Sequence, residues 1–187
     1  MATRSSLLLL SVLLLSACTS GVWPISNGAS RATPLHYGLY VTPTSPDNPI
    51  HPPERFIGYH VGTDFEITPD ELDTDVPIFA ICDGPAIYSG FAGGYGGLVV
   101  QRCTIKNQEV TVLYGHLKID SLPRKDTVLT KGQQIAVLGA AKSYDTDGNR
   151  KHLHLGIHIG DAVDYLGYVQ TPEELKQYMD PMSVLPL

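Results

Sequence analysis

The chain has 187 residues, 43% of them hydrophobic, with 18 glycines, 14 prolines and a formal net charge of −6. That length bounds it to one domain with room for a sizeable core, and its glycine and proline content excludes a helical bundle or a disordered chain. The acidic balance argues against nucleic acid as a partner, because nucleic-acid binders carry a basic patch.

Residues 1–17, MATRSSLLLLSVLLLSA, read as a secretion signal. Arg4 supplies a minimal positive region, and residues 7–15 form an apolar run too short to span a bilayer. The following boundary, Leu15-Ser16-Ala17-Cys18, resembles a bacterial lipobox. This implies acylation of Cys18 and a mature protein held by lipid to the cell envelope, outside the cytoplasm. Thr19 after the cysteine, rather than Asp, favours the outer membrane in a cell that has one. Residues 18–33 read as a small, polar tether, which leaves residues 34–187 as the working domain.

LHYGLYV, residues 35–41, reads as a strand, and the proline-broken TPTSPDNPIHPPE after it as loop. His36 and His51 fall here as surface or loop histidines. Seven strand-like segments follow: TDFEI, VPIFAI, AIYSGF, GLVVQR, EVTVLYGHL, QQIAVLG and HLHLGIHI. Gly, Pro, Asn and Asp clusters separate them, the rhythm of an antiparallel, mainly β domain. The stretch from Gly90 to Gly97 reads as a wide hairpin turn, and DTDGN, residues 145–149, as a turn that lacks the late glutamate of a calcium loop. Near the C-terminus, Thr171, Pro172 and Glu174 cap one short helix. Cys82 and Cys103 lie on runs that read as successive strands, and in an oxidising compartment they are disulfide candidates; buried free thiols are the alternative.

The chemistry gathers on KHLHLGIH, residues 151–158. Leu153, Leu155 and Ile157 alternate with His152, His154 and His158, so the histidines share the strand face opposite the apolar set. Two same-face residues are about 6–7 Å apart along the backbone, close enough for two imidazoles to serve one centre. Upstream, His60 and Asp64 lie four apart in GYHVGTDFE, and His116 ends LYGHL. A catalytic zinc needs three nitrogen or oxygen ligands and an open position, so His60, Asp64 and either His152 or His154 suffice. In EVTVLYGHL, Val110, Val112, Tyr114 and His116 share one face by alternation, and the glycine-marked end lets His116 leave the sheet toward a groove. His158 lies about 13 Å along the strand from His154, which sets it outside the ligand group. Arg150 and Lys151 read as solvated turn residues.

The order H-x-x-x-D, Y-G-H-L, H-L-H, with the Asp83-Gly84 turn between the first two, resembles the lysostaphin-type (LytM-like) peptidoglycan metallopeptidases over residues 55–160. The resemblance implies an antiparallel β-sheet domain of the duplicated hybrid motif kind with a groove across one sheet. It also implies one zinc per chain held by His60, Asp64 and His154, with His116 and His152 catalytic. It further implies a zinc endopeptidase that cuts peptide bonds in peptidoglycan stems or cross-links. The longer, charged loop AAKSYDTDGNRK departs from the family's short, glycine-rich approach to its H-x-H, which bears on substrate preference rather than on the metal. A non-catalytic relative that binds wall peptide or activates an amidase is the competing reading. Such relatives typically lose ligands, and all five positions are present here.

Overall fold

The computed structural model describes residues 21–46, 48–53 and 55–186. The signal segment 1–17 and the lipidation candidate Cys18 lie outside the described residues. Strands run β1 (Tyr40–Val41), β2 (Gly58–His60), β3 (Gly62–Glu66), β4 (Pro77–Phe79), β5 (Gly84–Ala92), β6 (Gly96–Ile105), β7 (Gln108–Leu117), β8 (Val128–Leu129), β9 (Gln134–Val137), β10 (His152–Ile159) and β11 (Tyr168–Val169). Helix α1 spans Pro172–Leu175, capped as its sequence suggests, with the Thr171 hydroxyl accepting from the Glu174 amide.

Six strands form one antiparallel sheet in the order β3-β10-β7-β6-β5-β8. Alternation in β10 sends Leu153, Leu155 and Ile157 to one face, where they meet Val110, Val112 and Tyr114 of β7 and Phe65 of β3. The two-stranded sheet of β4 and β9 closes over this face through Ile78, Ile135 and Ala136. The fold is therefore mainly antiparallel β, with its core on one side of the large sheet and the β10 histidines on the other. Lys106 and Asn107, both with positive φ, make the two-residue turn between β6 and β7, where the mirror-image turn matches the twist of the strands. A third sheet, β1-β2-β11, flanks the histidine side.

Four expectations change. The segment read as a tether is docked from its first described residues: Ile25 is 0% exposed within the core and pairs with Ile78, while Trp23 packs edge-on against Phe65. Its short apolar VWPI run is enough to fill a gap in the core. In 35–41 only Tyr40 and Val41 form strand, because Gly38 turns the chain with φ +81°. The wide hairpin is a tight one; β5 continues to Ala92 and β6 starts at Gly96, so only Gly93, Gly94 and Tyr95 make the turn. Cys82 lies in the bend before β5, not in a strand.

Cys82 and Cys103 are disulfide-bonded, with Cα atoms 6.1 Å apart and a separation of 21 in sequence. Reduction is expected to lower the unfolding free energy by about 3 kcal/mol in the chain-entropy model. Urea midpoints with and without reductant measure this. An unchanged midpoint, or two reactive thiols in denatured but unreduced protein, contradicts it.

Candidate metal centre

Register builds the centre. On β10, His154 faces Asp64 of β3 on one side and Gly115 of β7 on the other. His60 closes β2 one residue before β3 begins, and both His60 and Asp64 are buried. Gly62 is needed between them, since a Cβ there would sit 2.5 Å from the Leu155 carbonyl oxygen and 2.8 Å from the His154 ring. The result is three donor atoms around one point. His60 Nε2 and His154 Nδ1 are 2.9 Å apart, His154 Nδ1 is 3.0 Å from Asp64 Oδ1, and His60 Nε2 is 3.3 Å from the same oxygen.

Asp64 divides its oxygens. Oδ1 faces the shared point, while Oδ2 lies 2.8 Å from Arg150 Nη2 and 3.1 Å from His152 Nε2. Arg150 is bound in turn to Glu66 through Nε and Nη2. This corrects the reading of Arg150 and Lys151 as solvated. Arg150 braces two carboxylates, and Lys151, only 5% exposed, donates from Nζ to the carbonyls of Glu71, Leu72 and Thr74. The three donors of the ammonium serve all three carbonyls of that bend at once, and the Glu71 carbonyl also accepts from the Thr74 amide.

His116 reaches the centre by a bulge. Leu98 pairs with Gly115 and Gly97 with Leu117, so His116 is the extra residue, held at φ +64°. Plain alternation would have sent it into the core behind Tyr114. Instead Leu117 takes the core position and the His116 ring turns to lie 4.2 Å from that of His152. The side chain is buried, yet its Nδ1 has no hydrogen-bond partner among the described residues. His152 is oriented from behind, its Nδ1 lying 3.0 Å from the Arg150 carbonyl.

Tyr95 and Tyr168 complete the walls, and sequence reasoning missed both. Tyr95 projects from the tight β5–β6 turn, its ring 5.2 Å from His154 and 5.5 Å from His116, with its hydroxyl 3.4 Å from His154 Nε2. It fits because Gly115 has no side chain; a Cβ there would lie 2.5 Å from Tyr95 Cδ1. A lone aromatic between glycines at a hairpin tip was the available signal. Tyr168 of β11 pairs with His60 of β2, its ring tilted against the imidazole with centroids 5.1 Å apart, and nothing in its local sequence marks it. These groups line a cavity of ≈ 390 Å³ whose mouth carries the exposed Ile57, Tyr165 and Leu166. His158 stands apart against Tyr178, and His36 and His51 are exposed.

Electrostatics leaves these groups ready to bind a cation. Burial lowers the pKa of His154 to about 4, and burial likewise pushes His116 and His152 down. Burial opposes ionisation of Asp64, but the charges of His152 and His60 and hydrogen bonds from His152 and His154 hold its carboxyl well below the usual range. Burial, followed by the Asp64 charge, keeps the Tyr95 and Tyr168 phenols protonated. Two imidazole nitrogens and a carboxylate oxygen, spaced near the about 3.3 Å edge of a tetrahedron with zinc bonds of about 2.0–2.1 Å, fit zinc.

The histidine shifts give a signed expectation for the metal-free protein. Unfolded histidines take up protons near pH 6.5 while folded His116, His152 and His154 resist protonation, so their contribution to stability is complete above that pH and falls as pH drops toward about 4. Urea midpoints of chelated protein should fall from pH 7 to pH 5. A flat profile contradicts the burial of neutral rings.

The model of peptidase family M23 matches residues 58–165, more than half of the chain. The chain belongs to peptidase family M23. Members are zinc-dependent metallopeptidases, and the His60, Asp64 and His154 group lies within the matched residues. No curated protein matches the chain. Among solved structures, the lysostaphin catalytic domain of Staphylococcus simulans superposes with TM-score 0.55 at 18% identity, covering 83% of this chain and 92% of that one. Csd3 of Helicobacter pylori gives 0.53 at 18% over 90% of this chain and 35% of its own. A zinc-containing peptidase from Vibrio cholerae gives 0.51 at 23% over 73% and 36%. The chain thus spans about a third of the latter two proteins and nearly all of the lysostaphin domain. These likenesses establish the M23 fold.

Proposed function

We propose that this M23 peptidase is a zinc endopeptidase that hydrolyses peptide bonds in peptidoglycan stems or cross-links, held to the cell envelope by a lipid on Cys18. The observation that carries the reading is the convergence of His60 Nε2, Asp64 Oδ1 and His154 Nδ1 beside two further neutral imidazoles in one open cavity. His60, Asp64 and His154 would hold one zinc, and Asp64 would offset part of its charge. When bound, zinc supplies a Lewis acid and a water whose pKa is lowered to about 7.

The chain's own groups do the rest. His116 and His152, neutral at working pH, are the clustered bases, and no H-E-x-x-H glutamate is present. Nδ1 of His152 lies 3.0 Å from the Arg150 carbonyl and Nε2 3.1 Å from Asp64 Oδ2, so the imidazolium that would form when His152 takes up the water's proton has an acceptor at each nitrogen. The proton returns to the leaving amine. His116, with its unpartnered Nδ1, positions the water and the developing oxyanion. Arg150, Tyr95 and the apolar mouth hold the site rigid and limit entry of water.

Glycoside cleavage usually needs two opposed carboxylates, whereas Asp64 points at the metal position and is paired on its other oxygen. Zinc-loaded full chain incubated with purified peptidoglycan should therefore release soluble fragments with new free amines and no new reducing ends. New reducing ends, or release of nothing while an added amidase is stimulated, would replace this reading with a glycosidase or an activator. For the anchor, Cys18→Ala should move the protein from the detergent phase to the aqueous phase; identical partitioning contradicts lipidation.

A further inference from the structure

The family match begins at residue 58, yet both candidate ligands on β2 and β3 are supported by chain that precedes it. β3 is an edge strand of the six-stranded sheet, with β10 on one side only. Its other side is not bare. The Asp64 amide donates to the Leu35 carbonyl at 3.0 Å, and the Glu66 amide to the Ala32 carbonyl at 3.1 Å. His60 is bracketed in the same way: its amide donates to the Leu39 carbonyl at 2.9 Å, and its carbonyl accepts from the Gly38 amide at 2.8 Å. Its ring Nδ1 lies 3.4 Å from the His36 carbonyl, an acceptor that selects the tautomer with a free lone pair on Nε2.

The segment that supplies these carbonyls is fastened away from the metal position. Ile25 and Leu35 are fully buried, the Phe79 amide donates to the Pro24 carbonyl, and Arg31 forms a bidentate pair with Glu71. We propose that residues 22–39 form a strap that positions His60 and Asp64 for the metal, so that zinc affinity depends on chain outside the family match. The proposal rests on the reading of His60, Asp64 and His154 as zinc ligands. Partners that orient metal ligands typically contribute about 10–100-fold in affinity. Coupling of this kind is reciprocal, so zinc must also tighten the strap.

Two experiments on the full chain test it. In wild type, deuterium uptake across residues 35–39 should slow by about 10-fold or more when zinc is added to chelated protein. Unchanged uptake in protein that has bound zinc overturns the strap. In Gly38→Pro, the donor to the His60 carbonyl is lost, and φ +81° is closed to proline, although a Cβ has room 3.7 Å from Leu175 Cδ2. Chelator competition should show zinc binding weakened by about 10-fold or more, with circular dichroism retained. An unchanged zinc Kd in folded Gly38→Pro also overturns it, and if that variant does not fold, the wild-type exchange result decides alone. Failure of wild type to bind zinc defeats the ligand reading instead, which separates the two.

Discussion

His116→Ala is expected to keep its zinc and its fold but to lose about 10²–10⁴-fold in rate, the usual contribution of a positioned acid–base group. His116 touches none of the three donor atoms at the metal position; it sits against His152, with rings 4.2 Å apart. Its backbone offers a control. At φ +64° a non-glycine residue carries a cost of roughly 1–2 kcal/mol, which glycine avoids. His116→Gly should therefore be as slow as His116→Ala while unfolding at a higher urea concentration. Near wild-type rates in either variant would remove His116 from the chemistry. A rate that recovers in the glycine variant alone would mean that the bulge, not the imidazole, matters.

The second large effect separates two histidines that sequence spacing alone leaves equivalent. His154 offers Nδ1 to the shared point, 2.9 Å from His60 Nε2 and 3.0 Å from Asp64 Oδ1. His152 instead meets the outer oxygen of Asp64. Removing His154 leaves two of three donors, so His154→Ala should lose zinc on dialysis and show only background activity. His152→Ala keeps all three donors, and Arg150 still holds Asp64 Oδ2, so it should retain zinc while turning over slowly. Zinc content by atomic spectroscopy, measured beside the rate, decides between them. Equal zinc loss in both variants contradicts the assignment.

Much of this architecture was legible because β10, β7 and β6 are long and cleanly alternating. Eight residues of β10 fix which face carries Leu153, Leu155 and Ile157 and which carries the histidines. Strands β2, β8 and β11 span two or three residues, too few for a period to register. The His116 bulge broke an alternation that held through Tyr114, and only Gly115 hinted at it. Arg150 and Lys151 were misread for a physical reason: charged residues are usually solvated, and the groups that bury these two lie 77–86 residues away in sequence. The strap was hidden more deeply. It acts through the carbonyls of Leu35, His36 and Leu39, and a backbone carbonyl leaves no trace in residue type.

The most direct measurement is a zinc titration of chelated full chain against an isolated, cross-linked muropeptide, with products followed by mass spectrometry. Cleavage should be absent without metal and rise to a plateau at about one zinc per chain, the content of a three-residue catalytic site. The products should together be heavier than the substrate by one water, added across an amide. Cleavage that persists under chelation would contradict the metal mechanism. A chain that holds one zinc and cuts no muropeptide, alone or in intact wall, would contradict the enzyme itself.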